Sequence, residues 1–210
     1  MNTEFGQILD VFSPDEISNM VRILSRIEMQ NYGRKDTYNN GFTEQDPIYF
    51  VIKKIVIDKI NSICPVKINR VAEGMQLITK NPYSIHTDFA HKNDSGNGTA
   101  YLIPLWTKPA TEENSFTVIF NQRFKGNNLA DYIRTNPPLS DEPAHAIWDQ
   151  VPNAHLDPDF AKYLSVALIA WWQPGSLIYW NRELFHSSDD FRKKGIDEKS
   201  ALVIFSTNDG

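Results

Sequence analysis

A chain of 210 residues with 41% hydrophobic and 22% charged residues has the composition of an ordinary folded protein and the length for one well-formed core, so pervasive disorder and a second domain are disfavoured. Its net charge of -5 provides no basic field for displacing counterions from a phosphate backbone, which argues against general nucleic-acid binding. The lone cysteine, Cys64, excludes an internal disulfide and any cysteine-rich zinc or iron–sulfur centre, and is expected to be buried and inert.

The first element opens at Ser13. Ser13-Pro14-Asp15-Glu16 supplies an N-cap, a proline at the first helical position and a capping-box glutamate, with Phe12 and Ile17 as the hydrophobic staple. Ile17, Met20, Val21, Leu24 and Ile27 then recur at helical spacing. A second helix is expected from Asp46, with Pro47 at its first position, through Ile48, Ile52, Ile55, Val56, Ile60 and Ile63 until Pro65 stops it. Between the two, residues 31–45 are polar and turn-rich.

From Val66 onward the texture changes to short apolar or alternating runs broken by turn residues, with strands expected at 67–71, 75–79, 84–88, 99–106, 116–121, 166–173, 176–180 and 199–206. The segment 93–98, Asn-Asp-Ser-Gly-Asn-Gly, reads as a loop whose glycines permit positive φ. An insertion at 123–164 carries two short helical patches, 129–134 and 158–164, the second capped by Asp157; connections this long usually serve function. The opening residues lack a basic region followed by a long apolar one, and no apolar run reaches the roughly 18 residues of a spanning helix. A cytoplasmic protein without a membrane partner is therefore expected. The sum is an α+β chain, mainly β: one domain over 1–210, with a helical scaffold at 1–65 and a core of two facing antiparallel sheets, a jelly roll, at 66–210.

His86-Thr87-Asp88 places two potential metal ligands two residues apart, and in a strand such residues share a face. His186, following Pro174-Gly175-Ser176-Leu177, offers a third ligand from a distant strand that sheet packing can bring near. Two imidazoles and one carboxylate on one face of a metal leave positions open for other ligands. A His-x-Asp pair alone is weak evidence, since such tripeptides arise by chance.

These residues resemble the iron(II)/2-oxoglutarate-dependent oxygenases of the double-stranded β-helix fold. The resemblance spans roughly residues 75–207. It rests on the strand Met75-Gln76-Leu77-Ile78-Thr79, on Tyr83 before His86-Thr87-Asp88, on Thr99-Ala100-Tyr101-Leu102-Ile103-Pro104-Leu105, and on the Pro-Gly-x-Leu run leading to His186. The resemblance implies iron(II) held by His86, Asp88 and His186, with 2-oxoglutarate and O2 as cosubstrates. It also implies a basic residue after the distal histidine that binds the far carboxylate of 2-oxoglutarate. Lys199 stands in that place, and Tyr101, on the neighbouring strand, is a candidate to hydrogen-bond the same carboxylate, with a plain core tyrosine as the alternative. Iron(II), Asp88 and dianionic 2-oxoglutarate together leave one negative charge, so a cation there limits the cost of burial.

The chain departs from the family's frequent Arg-x-Ser pattern, because Ala201 rather than a serine shares the strand face of Lys199. Arg192, Lys193 and Lys194 are competing anchors on a charged, solvated loop. The implied activity is hydroxylation with release of succinate and CO2, favoured over halogenation because related halogenases lack the carboxylate that Asp88 supplies.

His91, His145 and His155 stay unassigned, with His91 near the expected pocket rim. Trp148, Trp171, Trp172 and Trp180 are core residues first and substrate wall second, and Lys108 is a solvated loop residue first and binding rim second. Two other classes stay open: a cupin-like metalloenzyme that does not use 2-oxoglutarate, and a non-catalytic jelly-roll binding module. A small molecule or peptide is the expected substrate, shaped by the insertion and by the loop after Asp88. Oligomeric state is not legible.

Overall fold

The computed structural model describes residues 4–31, 37–89, 98–110, 115–126, 129–139 and 158–207. Among the described residues, ten strands form two antiparallel sheets. The larger contains β1 (Phe5–Ile8), β2 (Gln30–Asn31), β3 (Thr37–Phe42), β4 (Arg70–Thr79), β5 (Thr99–Lys108), β8 (Leu177–Asn181) and β10 (Glu198–Thr207), in the order β1-β8-β5-β10-β4-β3-β2. The smaller contains β6 (Phe116–Arg123), β7 (Val166–Trp171) and β9 (Leu184–Ser188), in the order β7-β6-β9.

Strand alternation divides the interior into layers. Leu102, Ile178, Trp180, Ala201 and Val203 from the large sheet meet Ile119, Ala170 and Leu184 from the small one. The intervening residues Tyr101, Ile103, Leu177, Leu202 and Ile204 face the other way, onto the helices. At roughly 1.5–3 kcal/mol for each large side chain fully withdrawn from water, these two layers dominate stabilisation.

Helix α1 (Pro14–Leu24) begins as its sequence directs: the Glu16 amide donates to Ser13 Oγ at 3.3 Å, and the Ser13 amide to Glu16 Oε2 at 2.8 Å. The second expected helix is interrupted. It runs as α2 (Pro47–Ile52), a π-helical stretch (Lys53–Ile57) and α3 (Asp58–Ile63), and Asp46 does not cap it. The Asp46 carboxylate instead accepts from the Thr43 amide at 2.7 Å. Cys64 is fully buried, and burial pushes its thiol pKa up.

Three expectations are corrected. Residues 1–65 are not a purely helical scaffold, since β1 pairs with β8 and β3 with β4 along the large sheet. The polar run 31–45 conceals β3, whose buried asparagines are satisfied by the fold: Asn40 Nδ2 donates to the Leu24 carbonyl at 2.9 Å and Asn40 Oδ1 accepts from the Gln76 amide at 2.9 Å. Residues 84–88 do not form a strand, but only a single bridge between His86 and His186. Of the insertion, α4 (Leu129–Thr135) and a 3-10 turn (Pro158–Lys162) are described. They pack through Leu129, Tyr132 and Phe160 against Val118, Phe120 and Phe185 on the outer face of the small sheet. Of the loop glycines, Gly96 lies outside the described residues. Gly98 is needed for close approach, since a Cβ there would stand 1.9 Å from the Ser206 carbonyl oxygen.

Candidate metal centre

The three predicted ligands converge although two of them lack a regular strand. The His86 amide donates to the His186 carbonyl at 3.1 Å, and the His186 amide returns the bond at 2.9 Å. Two residues on, the Asp88 amide donates to the Arg182 carbonyl at 3.0 Å. The 84–88 segment is thus stitched by alternate amides to β9 and to the connection between β8 and β9, which preserves the common face expected of a strand. The Asp88 carboxylate lies 3.9 Å from His86 Nε2 and 3.5 Å from His186 Nε2. Donor atoms of all three fall within 4.8 Å of one another, the one such cluster of histidine, cysteine and carboxylate groups among the described residues.

Both rings are set to present Nε2. His86 Nδ1 lies 2.7 Å from the Ser84 carbonyl and His186 Nδ1 3.2 Å from the Leu184 carbonyl. A carbonyl oxygen only accepts, so Nδ1 carries the proton and Nε2 offers its lone pair. A ligating histidine commonly has this outer partner, which fixes tautomer and orientation. Two imidazole nitrogens and a carboxylate so arranged fit a divalent first-row metal.

Asp88 is itself oriented. Trp180 Nε1 donates to Asp88 Oδ2 at 3.1 Å, and Arg182 Nη2 donates to the Asp88 carbonyl at 3.0 Å. Arg182 is almost fully buried and lies over the Phe205 ring at 5.2 Å. Neither role was anticipated. The available signal was the charged turn Asn181-Arg182-Glu183 between two apolar runs, but nothing in it identifies Asp88 as the partner.

The ligands open onto a cavity of about 350 Å³ between the sheets. Met75, Leu77, Leu102, Trp180, Val203 and Phe205 line it from the large sheet, and Thr117 and His186 from the small one. Lys199 also lines it and is 1% exposed. Its Nζ donates to Ser115 Oγ at 2.9 Å, lies 3.5 Å from Asp189 Oδ1, and sits 4.0 Å from the Trp172 ring centroid and 4.7 Å from that of Phe191. Burial lowers its pKa to about 8, with Asp189 opposing the shift. Position 201 offers no hydroxyl, and the hydroxyl beside Lys199 is that of Ser115, which also donates to Asp189 Oδ1 at 2.7 Å. Ser200 points to the opposite face and accepts from Gln76 Nε2 at 3.1 Å. The Trp172 indole nitrogen, buried at the same end, has no hydrogen-bond partner among the described residues.

Tyr101 does not belong to the site. Leu102 takes the cavity side of β5, so alternation turns Tyr101 toward the helices, where it is fully buried and its hydroxyl donates to the Val66 carbonyl at 3.3 Å. Of the loop cations, Lys193 is 66% and Arg192 46% exposed, but Lys194 is only 13% exposed and lies 2.8 Å from Asp189 Oδ2, against the expectation of a solvated side chain. Lys108 is an exposed residue at the end of β5, 3.9 Å from Glu198. Trp172 and Trp180 line the cavity while Trp171 faces outward, half-exposed. Trp148, His91, His145 and His155 lie outside the described residues. No helix among the described residues is long and apolar enough to cross a membrane.

No family model matches the chain, and no curated protein matches it. Solved structures do. HygX from Streptomyces hygroscopicus, with nickel, 2-oxoglutarate and hygromycin B bound, superposes with a TM-score of 0.56 at 15% identity, over 99% of this chain and 84% of that one. A prolyl-4-hydroxylase from Pseudomonas putida gives 0.53 at 10% identity, over 99% and 94%. The α-ketoglutarate-dependent carbocyclase SnoK of nogalamycin biosynthesis gives 0.60 at 11% identity, over 97% and 80%. Coverage of nearly all of this chain and of most of each other chain, together with two facing antiparallel sheets, establishes that this chain has the double-stranded β-helix fold of those oxygenases.

Proposed function

We propose that this protein is an iron(II)- and 2-oxoglutarate-dependent oxygenase that hydroxylates a small molecule or a peptide side chain. The observation that carries the proposal is the pairing, in one cavity, of the His86–Asp88–His186 cluster with the buried cation Lys199. A metal-binding module alone has no need of a lysine held 1% exposed among aromatic rings. A cosubstrate bearing a carboxylate at each end does. HygX, with its bound nickel and 2-oxoglutarate, has the same fold and adds to the case.

In this proposal His86 and His186 bind the metal through Nε2 and Asp88 through its carboxylate. Lys199, steadied by Ser115, receives the far carboxylate of 2-oxoglutarate, and Trp172 Nε1 supplies a further donor. Iron(II) held there would supply activation of O2, with one oxygen atom going to succinate as 2-oxoglutarate loses CO2 and the other to the hydroxylated substrate. Trp180 and Arg182 keep Asp88 in place. Asp88 occupies the position that a halide would need, which favours hydroxylation over halogenation. Met75, Leu102, Val203 and Phe205 exclude water from the space between. A cavity of about 350 Å³ is at the small end for ligand sites, room for the cosubstrate and part of a substrate.

The test is anaerobic titration with iron(II), then with 2-oxoglutarate, followed by a screen of amino acids, peptides and metabolites for stimulated succinate release. Metal and 2-oxoglutarate binding with substrate-dependent succinate supports the proposal. Metal binding that 2-oxoglutarate does not perturb indicates a metalloenzyme of another kind. Failure to bind any divalent metal indicates a binding module.

A further inference from the structure

Lys199 is not an unopposed cation. Asp189 is fully buried, stands 3.5 Å from Lys199 Nζ and shares the Ser115 hydroxyl with it. A closed Lys199–Asp189 pair is neutral and would offer a dicarboxylate no net charge. The second oxygen of Asp189 faces a different lysine: Lys194 Nζ lies 2.8 Å from Oδ2, nearer than Lys199 lies to Oδ1, and also sits 4.2 Å from the Phe116 ring centroid. Asp189 therefore has a lysine at each oxygen, with Lys194 at ion-pair distance from the oxygen that no hydrogen bond uses. The rest of the turn is matched within itself, with Lys193 3.5 Å from Asp190 and Arg192 2.8 Å from Asp197. The three groups, two lysines and one aspartate, therefore sum to one positive charge.

We propose that Lys194 is a positioning residue for the cosubstrate: by engaging Asp189 it leaves the charge of Lys199 available to the far carboxylate of 2-oxoglutarate. This rests on the oxygenase reading of the site. Lys194 is not among the residues lining the cavity, so its effect on binding passes through Asp189. The charge balance assigned to Lys199 at the level of sequence belongs to the trio. Iron(II), Asp88 and 2-oxoglutarate leave one negative charge, and the trio supplies one positive charge at the end of the cavity where the far carboxylate would lie. Asp189 in turn keeps the ammonium groups of Lys194 and the buried Lys199 from facing each other unscreened.

The test is calorimetric titration of 2-oxoglutarate into the zinc-loaded protein, with zinc affinity and melting temperature measured in parallel. Lys194→Met lets Asp189 close on Lys199 and should weaken 2-oxoglutarate binding about tenfold or more, as for loss of a charge-assisted hydrogen bond, with zinc affinity within about twofold. Adding Asp189→Asn to Lys194→Met restores the single positive charge and should recover most of that loss, as should Lys194→Arg. A merely structural lysine would not produce that recovery. Unchanged binding in Lys194→Met, or a double variant as weak as the single one, overturns the proposal while leaving the oxygenase reading intact. Wild-type protein that binds zinc but not 2-oxoglutarate overturns both. If Lys194→Met does not fold, Asp189→Asn alone decides: binding held or tightened supports the proposal, and weakening of about tenfold or more refutes it.

Discussion

One end of the cavity is built through the main chain and the other through side chains. The segment carrying His86 and Asp88 is held by alternate amide bonds to β9 and to the β8–β9 connection, and carbonyls fix each imidazole, so the placement of the ligands follows mainly from the backbone path, with Trp180 orienting the Asp88 carboxylate. Lys199 is set by Ser115, Asp189, Trp172 and Phe191, side chains from segments remote from it in sequence or beyond a turn. The ligand end should therefore tolerate changes at the anchor end, while the anchor end should respond to neighbours that never touch the cosubstrate.

The largest effect should come from removing a ligand. Asp88→Ala or His186→Ala should lower metal affinity by more than about 100-fold and abolish substrate-dependent succinate, since loss of even an outer partner costs about 10- to 100-fold. Metal titration checks the first and a succinate assay the second; near-native values in both variants would remove the triad. At the opposite end, Lys199→Ala should raise the 2-oxoglutarate concentration needed for half-saturation by about 10- to 100-fold and leave metal binding intact. An unchanged requirement would move the anchor elsewhere and undo the contrast between the two ends.

Trp180→Phe sharpens the comparison, because it deletes the Nε1 donor to Asp88 while keeping an aromatic ring in the wall. A loss of about tenfold in metal affinity with little change in 2-oxoglutarate affinity is expected, and cobalt absorption spectra of the two proteins would show whether the carboxylate has moved. Acidity probes the other end. With its pKa lowered to about 8, Lys199 is charged below that pH and neutral above it, so 2-oxoglutarate affinity should fall as pH rises through 8, by at most about tenfold per unit. Stability of the cosubstrate-free protein runs the other way. Between about 8 and the ordinary value of 10.5 the unfolded chain binds the proton that the folded chain does not, so this group's contribution to stability rises with pH across that window. Calorimetric titrations and melting curves at pH 7, 8 and 9 measure both trends.

The same contrast explains what could be read from the sequence. Local rules sufficed for α1, where cap, proline and glutamate are contiguous, and for the strands whose apolar residues alternate. They sufficed for His86 and Asp88 because a spacing of two survives as a common face even without a ladder. They failed for β3, because Asn39 and Asn40 are poor strand formers alone and are buried only through partners in α1 and β4. They failed again at Asp189 and Ser115, which read as ordinary polar residues until folding draws them around Lys199. Periodicity identifies which face a side chain takes, not which distant group completes its charge balance.

Tyr101 gives the smallest expected effect and the closest check on this division. The resemblance offered it as a ligand of the far carboxylate, but strand alternation carries Leu102 to the cavity and Tyr101 to the helical side, where burial pushes the phenol pKa up and its hydroxyl reaches Val66. Tyr101→Phe should leave 2-oxoglutarate affinity within about twofold and reduce stability by about 1 kcal/mol, the ordinary contribution of one internal hydrogen bond. The bond is long at 3.3 Å, so the stability loss should fall at the lower end of that range. Thermal melting and calorimetry on one preparation separate the two quantities. A weakened cosubstrate with unchanged melting would mean that the residue on the far side of β5 reaches the anchor after all, and that the sheet does not insulate the cavity from the helical layer behind it.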